Sequence, residues 1–316
     1  MSKIAFLFPG QGSQAVGMGK DFYDNIQESK TVFTNADQRL NSKLTELIFD
    51  GPQDTLTLTY NAQPALLTTS IAILEHLKHY SIKPDYVAGH SLGEYTALVA
   101  AGVLRFEDAV FAVKKRGEFM DEAVPAGQGA MAAILGMNST ELEDITSNIT
   151  NDGHPVQLAN LNCPGQIVIS GTAEGVEKAS VLAKEKGAKR AIPLVVSGPF
   201  HSELMKPAAS QLNNILSELS FHKANTPVVA NVTAKAVLDE QEIKQLLVEQ
   251  LYSPVRWEES VKTMLDHNVT TFVEIGPGKV LTGLVKKIDR SAKVYNIFDL
   301  DSMKDVVEKL KGEPRC

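Results

Sequence analysis

The stretch VAGHSLGEYTALVAAG, residues 87–102, combines a short apolar run, a Gly-x-Ser-x-Gly motif and a longer apolar run. The first run predicts a strand and the second a helix, so the motif forms the turn between them. Two interpretations of Ser91 are open on this stretch alone. Small residues let a strand turn tightly into a helix, whereas a nucleophile elbow presents a serine hydroxyl at the tip of such a turn, beside the amides of a helix N terminus.

Outward from this turn, the sequence alternates between strand and helix patterns. Residues 3–8 are nearly all apolar, which is typical of a strand buried on both faces of a parallel sheet, and residues 63–80 place apolar side chains at helical spacing. The alternation predicts an α/β fold with a parallel sheet. Because ligands of such folds bind at the carboxyl ends of the strands, we expect PGQGSQ, residues 9–14, and GHSLG, residues 89–93, to face one crevice.

A smaller domain is predicted after VPAGQG, residues 124–129, where Gly and Pro interrupt the chain. Its elements follow the order βαββαβ of a ferredoxin-like domain. Because α/β character returns afterwards in TPVVANV and VTTFVEIG, the small domain, residues 125–197, is expected to be an insertion into a large α/β catalytic domain, residues 1–124 and 198–316. The predicted elements of the insertion are strand 130–136, helix 139–150 with a Ser139 cap, strands 156–161 and 166–170, helix 173–186 before Gly187, and strand 190–196.

Composition excludes several classes of protein. The 316 residues carry a net charge of −7 without a dense Lys/Arg tract interleaved with aromatic residues, so nucleic acid is not an expected partner. The only cysteines, Cys163 and Cys316, provide neither a disulfide framework nor the spacing of metal ligands. No uncharged run is long enough to span a bilayer, and the N-terminal apolar run is too short for a signal peptide. We therefore expect a cytoplasmic protein without a membrane partner.

A serine nucleophile needs a base, and His201 in VVSGPFHSELM is the best candidate among the seven histidines, because it follows a predicted strand and a Gly-Pro break. His76, His79 and His222 lie on polar stretches with a helical pattern. His90 adjoins the serine, but neighbouring side chains in an elbow point in different directions. On local sequence alone His201 is equally a surface imidazole, and its pairing with an elbow serine favours the catalytic interpretation.

Further motifs follow one another along the chain: FLFPGQGSQ, GHSLGEYTAL, Arg116 in VKKRGEF, NCPGQIVISG, GPFHSELM and EIGPGKVLTGL. Together they resemble the malonyl-CoA:acyl carrier protein transacylases of bacterial fatty-acid synthesis, and the resemblance covers nearly the whole chain. It implies an α/β-hydrolase-like core with an inserted ferredoxin-like domain, in agreement with the pattern-based prediction. It also implies malonyl-CoA and holo acyl carrier protein as substrates. No cofactor is expected, because the overall transfer exchanges one thioester for another.

The resemblance implies catalytic roles for particular residues. Ser91 would be the acylated nucleophile, and His201 its general base, which later protonates the leaving thiolate. The backbone carbonyl of Gln250, in VEQLYSPVRW, would orient the histidine in place of a carboxylate. The backbone amides of Leu92 and Gln11 would bind the oxyanion, which requires the PGQG loop to lie close to the serine. Without the resemblance, Gln11 is typical of a turn.

The resemblance also implies residues that recognise the acyl group. Arg116 would bind the malonyl carboxylate, since a guanidinium fork holds a carboxylate through two hydrogen bonds, whereas local sequence places it on a solvated helix face. Asn160 and Asn162 are candidates for contacts with the acyl chain or the carrier arm, although ANLNCPG is equally typical of a hairpin turn. Phe200 resembles malonyl-selective rather than methylmalonyl-selective members. Cys163 is expected to be a small packed side chain.

Three functions are compatible with a serine elbow in this sequence. An acyltransferase would carry malonyl through a malonyl-serine intermediate by a ping-pong mechanism, and the resemblance favours it. A serine thioesterase or esterase would need water at the acyl-enzyme and usually an acidic third residue. The available candidates, which do not follow clear strands, are Asp108, Asp121, Asp144 and Asp152. A non-catalytic subunit that only binds carrier protein is disfavoured by the intact serine, histidine and arginine.

The expected carrier protein is acidic in this family, and the chain is acidic as well, so docking requires a local basic surface. The candidate residues, which could equally form a solvated surface, are Lys189, Arg190, Lys286, Lys287 and Arg290. The expected oligomeric state is a monomer.

Overall fold

The structure is a computed structural model that describes residues 3–125 and 127–312. Within these residues it contains ten β-strands and fourteen α-helices. The strands are β1 Lys3–Phe8, β2 Tyr86–Gly89, β3 Gly129–Leu135, β4 Val156–Cys163, β5 Gln166–Thr172, β6 Arg190–Pro193, β7 Val228–Val229, β8 Ala236–Val237, β9 Val269–Ile275 and β10 Lys293–Ile297. Cys316 lies outside the described residues.

The helices of the first half of the chain are α1 Lys20–Asn25, α2 Gln27–Leu40, α3 Leu44–Asp50, α4 Gln53–Thr57, α5 Thr59–Leu77, α6 Leu92–Ala100, α7 Phe106–Glu122 and α8 Ser139–Asn151. Those of the second half are α9 Ala173–Glu185, α10 Lys206–Glu218, α11 Glu240–Glu249, α12 Trp257–Asp266, α13 Val280–Ile288 and α14 Leu300–Gly312. Short 3₁₀-helices span Lys78–Tyr80 and Glu203–Met205.

The larger sheet has the strand order β10-β9-β1-β2-β7-β8. Its strands from β10 to β7 pair in parallel, and the short β7–β8 pair is antiparallel. The predicted α/β fold with a parallel sheet is therefore confirmed. Phe8 pairs with Gly89, and the amide of His90 donates to the carbonyl oxygen of Phe8 over 3.1 Å. The loops after β1 and β2 consequently leave the sheet side by side.

Helices cover both faces of the larger sheet, and β1 contributes to the core on each side. Phe6 and Phe8 pack with apolar residues of α2, α5, α6 and α7, whereas Ala5 and Leu7 pack with apolar residues of α12 and α13. This alternation is what a strand buried on both faces requires, since successive side chains point to opposite faces. In the described part of the chain, every helix is too short or too polar to cross a bilayer.

The second sheet has the strand order β4-β5-β3-β6, and its neighbouring strands are antiparallel. Helices α8 and α9 pack on it around a separate core that includes Ile134, Ile145 and Ile169. Strand β4 lies at one edge. From there, Asn160 forms a parallel bridge to Val255, in the segment between α11 and α12. The smaller sheet therefore contacts that segment through an edge strand.

Several predicted boundaries are wrong by a few residues. Helix α5 begins at Thr59 rather than at residue 63, and the chain tightens into a 3₁₀-helix after Leu77. Asn138 rather than Ser139 caps α8, because its Oδ1 accepts a hydrogen bond from the amide of Glu141 at 2.9 Å. Strand β6 ends at Pro193, and residues 194–196 leave the sheet to line a cavity.

Candidate active site

Ser91 lies at the turn between β2 and α6 in a strained backbone conformation, with φ 52° and ψ −106°. Close contacts require the glycines on either side. A Cβ on Gly89 would stand 1.9 Å from the carbonyl oxygen of Gly93, and one on Gly93 would stand 2.0 Å from the carbonyl oxygen of Phe8. A packed interior leaves no room for these atoms. The motif therefore forms a tight elbow against the end of β1, as the strand–turn–helix prediction requires.

Two side chains from distant parts of the sequence hold the elbow. Asn231 follows β7, and its Oδ1 accepts from the amide of Ser91 at 2.7 Å while its Nδ2 donates to the carbonyl oxygen of Gly89 at 2.7 Å. Gln250 donates from Nε2 to the carbonyl oxygen of Ser91 at 3.0 Å. Asn231 is not among the residues predicted from the sequence. Its position just beyond the carboxyl end of a predicted strand was the signal that could have found it.

The structure brings His201 to the serine. Its Nε2 lies 2.8 Å from Oγ of Ser91, and its Nδ1 lies 2.7 Å from the carbonyl oxygen of Gln250. Because a carbonyl oxygen only accepts, Nδ1 carries the proton, and Nε2 is free to accept one from the hydroxyl. Burial, reinforced by the positive charge of Arg116, lowers the pKa of His201 to about 3. The imidazole is therefore neutral at neutral pH.

The other histidines considered above do not contact the serine hydroxyl. His90 directs its Nε2 to Oδ1 of Asn162 at 2.9 Å. His76 lies in α5, and His79 lies in the 3₁₀-helix that follows it. His222 lies in an irregular segment rather than a helix, and its amide donates to the carbonyl oxygen of Val103, in the loop before α7, at 2.9 Å.

Arg116 is 1% exposed, so the local interpretation of it as one charge of a solvated helix face is wrong. It falls on the buried stripe of α7, together with Val113 and Met120. Its Nη2 donates to Oγ of Ser91 at 3.1 Å, and its Nη1 donates to Oε1 of Gln63 at 2.8 Å. A positive charge thus lies directly against the serine hydroxyl.

A buried carboxyl group that was not predicted from the sequence lies behind the arginine. Glu94 is 2% exposed, and its Oε2 accepts from Nε2 of Gln250 at 2.7 Å and from the amide of Asn231 at 3.1 Å. Oε1 of Gln250 in turn accepts from Nη2 of Arg116 at 2.9 Å. Burial raises the pKa of Glu94 to about 7, against the opposing effect of these hydrogen bonds and of the arginine charge. An acidic residue inside the apolar run of α6 was the available signal.

The serine, histidine and arginine border a cavity of about 350 Å³. Gln11, in the loop after β1, and Leu92 lie on its wall together with Phe200. Leu92 is the first residue of α6, so its amide belongs to a helix N terminus, where N–H groups lack an intrahelical acceptor. Val195 also lines the cavity and is fully exposed to solvent. The cavity is thus bordered by residues of both sheets' connecting loops.

Asn160 and Asn162 lie in β4 and not in the turn that follows it, so the hairpin-turn interpretation is wrong for them. Asn160 is buried against the cavity, whereas Asn162 contacts His90 and reaches the site only through it. Cys163, at the end of β4, is a buried free thiol.

The position that an acidic third residue would occupy beside His201 is taken by the Gln250 carbonyl. Asp121 instead accepts a hydrogen bond from Oγ of Ser197 at 2.5 Å. The remaining aspartates considered above, Asp108, Asp144 and Asp152, lie in or at the end of α7 and α8. Among residues 3–125 and 127–312, no group of three or more His, Cys, Asp or Glu side chains is arranged to hold a metal ion.

A serine elbow, a neutral histidine and a buried arginine around one hydroxyl are groups suited to acyl transfer, and the comparison with known families agrees. The sequence model of the acyl transferase domain family matches residues 5–306, so the chain belongs to this family. A malonyl CoA-acyl carrier protein transacylase of Bacillus subtilis is 61% identical over 313 residues, which cover 99% of each chain. The family resemblance found in the sequence is therefore confirmed.

Solved structures agree with this assignment. An acyl carrier protein S-malonyltransferase from Vibrio cholerae superimposes with a TM-score of 0.94 at 46% identity, covering 96% of this chain and 100% of the other. A malonyl-transacylase in complex with a type II PKS acyl-carrier protein superimposes with a TM-score of 0.94 at 42% identity, covering 98% of this chain and 100% of the other.

Proposed function

We propose that the chain moves a malonyl group from coenzyme A to the phosphopantetheine thiol of holo acyl carrier protein through a malonyl-serine intermediate. The proposal rests above all on the contacts of Ser91 Oγ, which lies 2.8 Å from Nε2 of His201 and 3.1 Å from Nη2 of Arg116. A nucleophile held between a base and a cation suits an acyl group that carries its own carboxylate. The 61% identity to a transacylase of that name supports the same reaction.

In the first half-reaction, Oγ of Ser91 attacks the thioester carbonyl carbon while the hydroxyl proton passes to Nε2 of His201. An Oγ–C bond forms, and the carbonyl oxygen becomes an oxyanion. We assign the amides of Leu92 and Gln11 to this oxyanion, because both residues line the cavity beside the serine. Collapse then breaks the C–S bond, and the coenzyme A thiolate takes the proton from Nε2 as it leaves.

The state of His201 suits this role. Its low pKa keeps Nε2 unprotonated, and the hydrogen bond from Nδ1 to the Gln250 carbonyl fixes the tautomer. A base of such low pKa must become more basic as the reaction proceeds. A malonyl carboxylate paired with Arg116 contributes to that change, because it neutralises a charge that lowers the pKa of His201. The preferred substrate would thereby assist its own acylation.

The acyl group is recognised on the arginine side of the serine. In malonyl-serine the carboxylate carbon is two bonds from the acyl carbon, which brings it close to the Arg116 guanidinium beside Oγ. Phe200, on the cavity wall, limits the space for a branched acyl group, and Asn160 offers a polar contact to the acyl chain or the carrier arm. Asn162 acts through its hydrogen bond to His90.

In the second half-reaction, the thiol of the carrier attacks the malonyl-serine carbonyl and gives its proton to Nε2 of His201. The Ser91 oxygen leaves with that proton. Over both half-reactions, the thioester of the carrier replaces the thioester of coenzyme A, so the balance of the reaction requires no metal or redox cofactor. A serine thioesterase or esterase is the alternative. We disfavour it because a carbonyl, and not a carboxylate, accepts the hydrogen bond from His201.

We also propose the finer architecture expected from the sequence. Residues 1–124 and 198–316 would form an α/β-hydrolase-like catalytic domain, and residues 125–197 a ferredoxin-like insertion. The strand order β4-β5-β3-β6, with α8 and α9 as its crossover helices, supports the second assignment.

A cytoplasmic location is proposed from the free thiol of Cys163, because disulfides are rare in a reducing compartment. The expected oligomeric state is a monomer, which light scattering would test.

Intact-mass analysis tests the proposed function. Malonyl-CoA should add one malonyl group to the peptide that contains Ser91. When holo carrier protein is then added, the enzyme should lose the malonyl group and the carrier should carry it. Ser91→Ala should lose the adduct and keep its melting temperature, because the hydrogen bonds that hold the elbow involve only backbone atoms of Ser91. Release of free malonate would indicate a hydrolase, and the absence of an adduct would indicate a binding subunit.

A further inference from the structure

Strand β4 contacts both segments that hold the proposed base. Gln157, the second residue of β4, donates from Nε2 to the carbonyl oxygens of His201 and Tyr252, each at 3.2 Å. Its Oε1 accepts from the amide of Glu203 at 3.0 Å. A single side-chain amide thus joins the loop of the histidine to the segment that follows Gln250.

Backbone pairing fixes the second of these segments on the same strand. The amide of Val255 donates to the carbonyl oxygen of Ala159 at 2.8 Å, and the amide of Leu161 donates to the carbonyl oxygen of Val255 at 2.9 Å. The chain from Gln250 to Val255 is therefore anchored at its far end by β4 and in its middle, at Tyr252, by the side chain of Gln157.

The histidine loop needs such support. His201 has a φ of 57°, a conformation that residues with a side chain rarely adopt. Its ring must also meet two partners at once, with Nε2 2.8 Å from Ser91 Oγ and Nδ1 2.7 Å from the Gln250 carbonyl. A small shift of either loop would break one of these contacts.

We propose that Gln157 is a positioning residue for the general base, and that the smaller sheet thereby contributes to the chemical step. The inference rests on the proposed function. Gln157 faces a different cavity, of about 640 Å³, which it shares with Glu203, Arg256 and Glu259. Changes at Gln157 should therefore affect the rate at which a bound thioester reacts and not the binding of the malonyl carboxylate.

Gln157→Met tests this directly, because methionine has a similar length and makes none of the three hydrogen bonds. In single-turnover acylation of Ser91, we expect the maximal rate to fall about tenfold or more with both malonyl-CoA and acetyl-CoA, a part of what a positioned base contributes. The half-saturating thioester concentrations should change less than about twofold. Gln241→Met, at an exposed position of α11, is the matched control and should react at the wild-type rate.

Gln157→Glu separates positioning from a general loss of structure. A neutral carboxylic acid has the shape of the carboxamide, so its carbonyl can accept from the Glu203 amide while its hydroxyl donates to one backbone carbonyl. The ionised carboxylate cannot donate. We therefore expect the rate of this variant, relative to wild type, to rise as the pH falls from about 8 to about 5. The charges of Glu143, Glu203, Arg256 and Glu259 around the same cavity set the midpoint of that rise.

A wild-type rate in Gln157→Met overturns the inference. A slow Gln157→Met together with a pH-independent ratio for Gln157→Glu also overturns it, because a purely structural loss is not recovered by protonation. Failure of the wild-type chain to form the malonyl adduct overturns the proposed function instead, so the two failures are distinguishable.

Discussion

Ser91 and His201 both have positive φ values, 52° and 57°, which residues with a side chain rarely adopt. Each such conformation costs about 1–3 kcal/mol in a residue with a side chain, and it persists only where the surroundings impose it. Asn231 and Gln250 bond both backbone polar groups of Ser91, and Gln157 bonds the carbonyl of His201. The strain is therefore located at the two residues whose side chains must meet.

The lowered pKa of His201 predicts an unusual pH profile. For a base whose pKa is depressed, activity persists until the pH falls through the lowered value, here about 3. We expect the single-turnover acylation rate with acetyl-CoA to stay level from about pH 8 to about pH 5, where a histidine of ordinary pKa would already have lost about 30-fold. A midpoint near the ordinary pKa of histidine that persists in Glu94→Gln, which removes the buried group that titrates near pH 7, would contradict the burial of the free base. His201→Ala, the control, should be slower by about 10²- to 10⁴-fold at every pH.

Arg116 should determine which acyl group is accepted. A carboxylate in this cavity is stable only when paired, and removing one partner of a buried pair costs about 3–5 kcal/mol. At about 1.4 kcal/mol per decade, Arg116→Ala should lose two to four decades in malonyl-CoA specificity. Acetyl-CoA has no carboxylate, so its transfer should stay level or improve.

Arg116→Lys is the matched variant. It keeps a positive charge but not the planar fork, so it should recover little of the malonyl transfer. The measurement is the acylation rate of Ser91 with each thioester at fixed ionic strength. Parallel loss of malonyl and acetyl transfer would show that Arg116 supports the fold or the coenzyme A moiety, and not the carboxylate.

At the scale of elements, the elbow depends on how closely α6 approaches β1. Gly93 lies in the first turn of α6, where a Cβ would collide with the carbonyl oxygen of Phe8 at 2.0 Å. Gly93→Ala should therefore separate the two elements and destabilise the fold by about 1–3 kcal/mol. It should also slow acylation, because Leu92 begins α6, Gln11 follows β1, and both residues lie on the cavity wall.

Thermal unfolding and single-turnover acylation measure the two effects of Gly93→Ala together. Gly283→Ala, at an exposed position of α13 where an added Cβ meets no neighbour, is the control and should be neutral or stabilising. An unchanged melting temperature for Gly93→Ala would contradict this prediction, because it would mean that α6 moves away from β1 without a loss of stability.

Elements whose signal is local could be predicted from the sequence. Residues 3–8 form β1 as predicted, and the Gly-x-Ser-x-Gly turn follows β2, because apolar runs and glycines encode them without reference to the rest of the chain. Arg116 could not be placed locally. A charged residue on a helix is usually solvated, and only the packing of α7 shows that its apolar stripe carries the arginine inward. Glu94 and Gln157 were missed for the same reason, since their partners are far away in sequence.

At the scale of the whole molecule, the site forms where distant segments meet. Ser91 comes from the larger sheet, Gln157 and Asn160 from the edge of the smaller one, and Gln250 from a segment that pairs with that edge. Composition and periodicity give the two sheets but not the way in which β4 meets the segment after α11. The family resemblance supplied what periodicity could not, because it carried positions that only a folded chain brings together.

The outer surface should determine which acceptor receives the malonyl group. Lys189 and Lys287 are exposed and border one groove of about 730 Å³, and Nζ of Lys287 lies 2.9 Å from Oε1 of Gln166 across it. Lys286 is exposed on the same turn of α13. An acidic carrier would be attracted here even though the chain as a whole has a charge of −7, because screening limits repulsion to about 8–10 Å. The basic cluster expected from the sequence is thus partly gathered around one groove.

Reversing the charge of Lys286 and Lys287 to Glu should raise the Michaelis constant for holo carrier protein and weaken its dependence on salt, since long-range attraction to an acidic partner is lost. Transfer from malonyl-CoA to a small thiol should be unchanged, because neither lysine lines the cavity of Ser91.

The control with the same change in net charge is the double variant Lys43→Glu with Lys83→Glu. Both positions are exposed, and Lys83 lies just before the amino end of β2. Steady-state transfer to carrier and to small thiol, over a series of salt concentrations, separates docking from chemistry. Equal loss with both acceptors would show that these lysines act on the fold or on coenzyme A, and equal loss in the control pair would show that net charge alone governs the encounter.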